Sequence, residues 1–342
     1  MKKLARGFVG AMALTGSLLL AGCADPAQDS GSNGAATGEG NVLYFLPIIE
    51  TGAYWANIVA GAESMAAELG FDIVVRSAPS SDPQRNERQI AFVREGISEN
   101  AAAIGLAPRD PDMLDRVAEE AIDAGVPLIT FDSDVATAAN RLSYVGTDNF
   151  TAGEYLGANA AELMMAQGIT EGSIALAATN LTQSTFVQRM EGIREGFEAA
   201  MGANAANFTW LEPIADDDQS AESQRQMEAQ IVANQDMVAV FSLGSEGPTT
   251  GIMGALRSQN RGGEILHFGF DYTDTWLTGV EAGLITAIVN QDAFEIGRRA
   301  IQTMVDLAEG REVEDYYAVA VTWVLAEDIE AHGLEILARM GE

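Results

Sequence analysis

From residue 42 onward, short apolar runs alternate with longer amphipathic stretches. VLYFL (42–46), FDIVV (71–75), AAAIGLA (101–107) and VPLITF (126–131) are five to seven residues long, with few polar residues. Runs of that length and continuity predict strands buried on both faces, as in a parallel sheet. Between them, residues 54–69, 83–99 and 111–124 carry apolar side chains at helical spacing, and Gly70 and Gly125 stand where helix C-caps are expected. A second series follows: SIALAA (173–178), FTWLE (208–212), MVAVFSL (237–243), EILHFGF (264–270) and ITAIVN (285–290), with helices between. Repeated strand–helix–strand units predict an α/β chain of two similar lobes, each a parallel sheet covered on both faces. The halves also echo one another faintly. Ser81-Asp82 precedes a Gln- and Arg-rich helix and then AAAIGLA, much as Asp217-Asp218 precedes a Gln-rich helix and then MVAVFSL.

The residues ahead of this pattern read as an address. Met1 to Arg6 is basic and Gly7 to Leu20 is uncharged and apolar, a stretch of 14 residues, shorter than the roughly 20 needed to span a bilayer. It ends in Leu20-Ala21-Gly22-Cys23, and small residues before a cysteine resemble the bacterial lipobox. The expectation is a signal peptide over 1–22 and a mature chain that starts at a lipidated Cys23. Because Cys23 is the sole cysteine, an internal disulfide and any paired-cysteine metal or redox motif are excluded. Residues 23–41, small, polar and glycine-rich, read as a flexible tether.

Charge narrows the function classes. The chain has 19 basic and 50 acidic residues, net −31, and without Lys2, Lys3 and Arg6 the count becomes 16 basic and −34 net. So acidic a surface argues against nucleic acid and anionic lipid headgroups as partners. Both lysines lie before residue 22, so the rest of the chain offers no Schiff-base lysine and no P-loop. Neither G-x-S-x-G nor a calcium loop occurs, and Asp216-Asp217-Asp218 reads as a solvated turn. His267 and His332 stand apart, with no cysteine near them to complete a metal cluster. No cofactor and no enzyme activity are expected.

The segments GVPLITFDSD (125–134), YVGTDNFTAG (144–153), RMEGIREGF (189–197), GFDYTD (269–274) and VNQDAFEIG (289–297) resemble, in order, the ribose- and galactose-type periplasmic binding proteins. The resemblance spans about residues 42–325. It implies two Rossmann-like lobes joined by three hinge crossings, near Thr147, Gln291 and Val319, with a ligand in the cleft between them. The lobes would then comprise 42–147 plus 292–318 and 148–291 plus 319–342. The same fold serves lac-repressor-type regulators, but no N-terminal helix-turn-helix is present here.

A sugar offers a face of C–H groups and a rim of hydroxyls, so its site needs flat aromatics and directional, often charged, hydrogen-bonding groups. Independently of the family, ligands of open parallel sheets sit beyond the carboxyl ends of strands. Asp132, with Ser133 after it, and Asp271 end two such strands, and Gln291 stands at an expected crossing. Tyr54 and Trp55 follow the first strand, where the resemblance implies stacking aromatics. Arg189 matches the family's arginine at the start of a second-lobe helix, and its planar fork suits a ring oxygen and adjacent hydroxyls. Arg109, Asn180, Asp218, Ser245 and Glu246 complete the expected lining. Two departures stand out: Ser133 replaces the family's arginine beside the aspartate, and Asp218 stands where some relatives have an aromatic. Four of these residues have a plainer reading: Asp132 as a helix cap, Arg189 in a surface pair with Glu191 or Glu195, Tyr54 and Trp55 as staples of the first helix. The expected function is capture of a monosaccharide or sugar alcohol by a monomeric lipoprotein for an ABC-type permease. An autoinducer-like or nucleoside ligand, or a sensory role, remain alternatives.

Overall fold

The computed structural model describes residues 41–49, 52–79, 81–217, 219–244, 247–272 and 274–340. Among them the first lobe's strands come in chain order as β1 (Val42–Leu46), β2 (Asp72–Val75), β3 (Ala103–Leu106), β4 (Leu128–Phe131) and β5 (Tyr144–Gly146). The second lobe continues with β6 (Gly172–Ala178), β7 (Phe208–Trp210), β8 (Ile214–Ala215), β9 (Met237–Ser242), β10 (Leu266–Phe270) and β11 (Ala287–Gln291). β12 (Tyr316–Ala318) then returns to the first sheet and β13 (Val321–Leu325) to the second. The sheet orders are β12-β5-β4-β3-β1-β2 and β13-β11-β10-β9-β6-β7, parallel throughout except for β13, which runs antiparallel to β11. The chain thus passes between sheets at Thr147–Asp148, at Asp292 and at Val319–Ala320.

Strand alternation divides each lobe's core into two layers. In β1, Leu43 and Phe45 face one layer, while Tyr44 and Leu46 face the other. The first is covered by α1 (Ala53–Leu69) and α9 (Ala293–Ala308), the second by α2 (Arg85–Ser98) and α3 (Pro111–Asp123). In the second sheet, α4 (Asn149–Ala166) and α5 (Ser184–Met201) cover one face. The other is covered by α6 (Ser220–Ala233), α7 (Gly247–Ser258), α8 (Asp274–Glu281) and α10 (Ile329–Met340). The strands that the sequence pattern did not indicate, β5, β8, β12 and β13, are short or lie at an edge, where one buried face gives no continuous apolar run. No described helix is long and apolar enough to cross a membrane.

The α4–α5 pair decides where the site's arginine stands. Gly153 and Gly157 of α4 lie against the backbone carbonyls of Arg189 and Ile193, and Gly192 and Gly196 of α5 lie against those of Phe150 and Glu154. A β-carbon at any of the four would overlap backbone, so the helices meet closely only because these residues lack one. Gly157→Ala should therefore cost about 1–3 kcal/mol of stability, read as a lower midpoint in chemical denaturation. An unchanged midpoint would show that the seam has slack.

Candidate functional site

The same device ends a strand in each lobe. Asp132 follows β4 with φ 63°, and Asp271 follows β10 with φ 60°. Non-glycine residues in the left-handed region are uncommon, and where the surroundings hold them there they often mark functional positions. Each aspartate donates its backbone N–H to the neighbouring strand, Asp132 to Val145 and Asp271 to Val289, both at 2.9 Å. The ladder is thus extended by one bond before the chain turns and frees the carboxyl group from the sheet.

Different partners hold the two carboxyls. Tyr54, in the first turn of α1, donates its hydroxyl to Asp132 Oδ1 at 2.5 Å. Its ring meets Trp55 edge-on, with centroids 5.5 Å apart, and both rings pack on the first-lobe core. The Tyr144 hydroxyl donates to the Asp132 carbonyl at 2.9 Å and fixes the turn. Asp271 accepts from Gln291, whose side-chain amide lies 3.0 and 2.9 Å from the two carboxyl oxygens and whose backbone N–H lies at 3.2 Å.

Arg189, in the second turn of α5, is only 4% exposed and pairs with neither Glu191 nor Glu195. Its Nε donates to Asn149 Oδ1 at 2.9 Å, one terminal nitrogen donates to the Leu243 carbonyl at 2.7 Å, and the guanidinium lies 4.0 Å over the Phe270 ring. Among the described residues the second terminal nitrogen donates to no one. Ser242, the residue before Leu243, is held in turn by a buried network. His267 Nδ1 donates to the Leu284 carbonyl, its Nε2 accepts from Ser242, and Ser242 accepts from Thr249. Burial pushes His267 down to about 3, so it serves here as a neutral strut.

Electrostatics ties these groups together. Burial raises Asp132 from 3.8 to about 6 and also raises Asp271, while the Arg189 charge pulls both back. Tyr54 is pushed well above its ordinary value by burial and then by Asp132 and Asp271. The structure therefore brings together Tyr54, Trp55, Asp132, Arg189, Asp271 and Gln291.

The other expected lining residues are placed differently. Ser133 is buried beside Asp132 but gives its hydroxyl to the Pro108 carbonyl at 2.9 Å. Arg109 is partly buried, its backbone N–H held by Gln89 at 3.1 Å. Asn180 turns its carbonyl oxygen to the backbone of Thr182 and Gln183 ahead of α5. Asp218, Ser245, Glu246 and Cys23 lie outside the described residues. Sequence reasoning missed Tyr144, Asn149, Phe270 and the Leu243 carbonyl, whose roles arise from tertiary contacts. Tyr144, Asn149 and Phe270 lay within quoted motifs, but nothing in those motifs marked them as site residues. Two cavities adjoin the cluster: one of about 240 Å³ against Tyr54 and Gln291, the other of about 380 Å³ against Ser133, Tyr144 and Asn149. No group of side chains that could hold a metal occurs among the described residues.

Two sheet lobes joined by three crossings, with hydrogen-bonding groups converging from facing strand ends, define a two-lobed solute-binding protein. The chain belongs to the periplasmic binding protein domain family, which matches residues 43–312. Among curated proteins it is 27% identical over 277 residues to the ribose import binding protein of Escherichia coli, covering 80% of this chain and 87% of that one. It is 26% identical over 263 residues to the D-ribose/D-allose-binding protein of Pseudomonas aeruginosa, covering 74% and 78%. The fold resembles an ABC transporter solute-binding protein from Agrobacterium vitis bound with α-D-tagatopyranose, at TM-score 0.75 and 24% identity over 86% of this chain and 97% of that one. It also resembles a glucose-galactose binding protein from Geobacillus stearothermophilus, at TM-score 0.74 and 20% identity over 85% and 99%.

The shifted carboxyl makes a pH signature. The folded value of Asp132 lies above the unfolded one, so its contribution to stability is full below about 3.8 and is lost as the pH rises through about 6. Ligand-free Asp132→Asn should match the parent near pH ~4 and become the more stable above pH ~6, by something on the order of 1–3 kcal/mol. Denaturation of both proteins across that range checks this, and a gap that does not vary with pH would contradict it.

Proposed function

We propose that this is an extracytoplasmic solute-binding lipoprotein that captures a monosaccharide or sugar alcohol between its lobes and delivers it to an ABC-type permease. The observation that carries the reading is the pair of strand-end carboxylates, one per lobe, facing a buried guanidinium with donors to spare. Carboxylates accept from vicinal hydroxyls, the guanidinium donates to ring or hydroxyl oxygens, and Tyr54 with Trp55 supplies apolar surface for the C–H face. Relatives named for ribose and allose support the ligand class. The family's role in binding supports release of the ligand without chemical change.

Calorimetric titration against D-ribose, D-allose, D-galactose, D-tagatose and their alditols tests the reading. Asp271→Asn should weaken the best ligand about ten- to a hundredfold, the cost of one charge-assisted hydrogen bond. Its ligand-free melting temperature should not fall, because the variant no longer buries a charge. Failure of every sugar and polyol to bind, or full affinity in Asp271→Asn, would overturn the assignment. Arg189 is a poorer probe, since its removal also strands Asn149 and the Leu243 carbonyl.

The anchor rests on Leu20-Ala21-Gly22-Cys23. In bacterial cells the parent should fractionate with membranes and incorporate labelled fatty acid, and Cys23→Ser should do neither. Equal labelling of the two proteins would refute lipidation at Cys23.

A further inference from the structure

The larger cavity has features that the six polar and aromatic anchors do not use. It takes residues from both lobes and reaches the cluster through Ser133, beside Asp132, and Asn149, which holds Arg189. Its volume of about 380 Å³ lies within the roughly 300–1,000 Å³ of small-molecule pockets. On the first-lobe side Tyr316 lies parallel to Tyr144, ring centroids 5.3 Å apart, and is still 37% exposed where it lines the space. On the second-lobe side the first turns of α5 supply Ser184, Thr185 and Gln188. At the crossing, Thr147 is 3% exposed and its hydroxyl oxygen has no partner among the described residues, although it lines the cavity. A buried hydroxyl without a partner is costly and calls for one.

Charge restricts the occupant. Arg141 is the sole cation among the described lining residues, and it is already matched by Asp134 at 3.1 Å and Asp315 at 2.5 Å. Asp148 adds a third carboxylate. A phosphate or uronate would meet repulsion with no free cation to offset it, whereas a neutral hydroxylated group would meet hydroxyls, an amide and a flat ring.

We propose that this cavity is a second subsite, so that the cleft also takes, and holds more tightly, a sugar extended by a neutral hydroxylated unit, a disaccharide or glycoside. The inference rests on the sugar-binding reading above. The first ring lies among Asp132, Arg189 and Asp271, and the extension lies against Tyr316 with a hydroxyl to Thr147.

Titration with matched pairs tests it: D-ribose, D-galactose and D-glucose against their methyl and phenyl glycosides, neutral disaccharides and phosphate esters. At least one neutral extended ligand should bind about tenfold or more tighter than its parent sugar, and the phosphate esters should bind worse than the parents. Gln188→Trp, on an exposed helical position, should fill the space and erase the gain while leaving parent-sugar affinity within about twofold. Tyr316→Ala should reduce the same gain by removing the platform. If parent sugars bind and every extended ligand binds equally or more weakly, the subsite is refuted and the monosaccharide reading stands. If neither parents nor extended ligands bind, the sugar reading itself falls, and the subsite with it.

Discussion

A guanidinium taken out of water between two carboxyls of different lobes is the constraint on which the rest of the site depends. Burying such a charge costs several kcal/mol unless its donors are satisfied. Arg189 meets that cost in part through Asn149, the Leu243 carbonyl and the face of Phe270. The carboxyls that balance it are themselves buried, and for Asp132 desolvation outweighs the attraction of Arg189 and the Tyr54 hydrogen bond, leaving it near 6. The cluster by itself is therefore under electrostatic tension, with donors and acceptors left over on both sides. A polyhydroxylated ligand relieves that tension, because each of its hydroxyls can donate to a carboxylate and accept from the guanidinium.

The rest of the fold reads as support for this arrangement. The four-glycine seam of α4 and α5 brings Gly153 against the Arg189 backbone, which sets the height of the guanidinium over Phe270. The same seam keeps Asn149, the first residue of α4, within reach of Nε. The network of His267, Ser242 and Thr249 anchors the residue before Leu243, so the second acceptor of Arg189 is also fixed from below. On the other lobe, α1 meets α9 through Gly61 and Gly297, and α1 carries Tyr54 to Asp132. Each lobe thus uses a close glycine contact between two helices to place a side chain at a strand end.

Much of this could be read before the fold was known, and the division follows the physics. Central strands such as VLYFL and EILHFGF are buried on both sides, so their pattern is unambiguous, and Asp132 and Asp271 were visible as polar residues ending them. Arg189 and Gln291 emerged from family resemblance rather than from periodicity. Edge strands β12 and β13 were not legible, because half-exposed segments of three to five residues mix polar and apolar positions. Nor could the sequence show that Ser133 would turn to Pro108 or Asn180 to the turn before α5, since side-chain direction depends on which backbone carbonyl or amide lies nearest. Tyr144 stood in the sequence only as the first residue of the motif YVGTDNFTAG. Its role at the Asp132 carbonyl appears only when β4 and β5 pair.

The distribution of hydrogen bonds bears on how the lobes can move. Tyr54, Asp132 and Tyr144 bond among themselves within the first lobe, whereas Arg189, Asn149, Leu243, Asp271 and Gln291 do so within the second. Apart from contacts to the carbonyl of the crossing residue Thr147, no described hydrogen bond in the cluster joins one lobe to the other. Asp132 and Arg189 interact across the cleft through charge alone, a force that weakens gradually with distance and faster in water. Separating the lobes at the cleft therefore breaks no directional bond of the cluster. Behind the crossings the situation differs, since Arg339 of α10 donates to Asp292 at 2.9 Å and lies over Phe294, tying the second lobe's last helix to the start of α9. Such an arrangement makes the back of the molecule a pivot and leaves the front free to part. Among the described residues, a ligand that bonds to both Asp132 and Asp271 adds directional bonds across the cluster where none exists, so its binding free energy includes the cost of holding the lobes together.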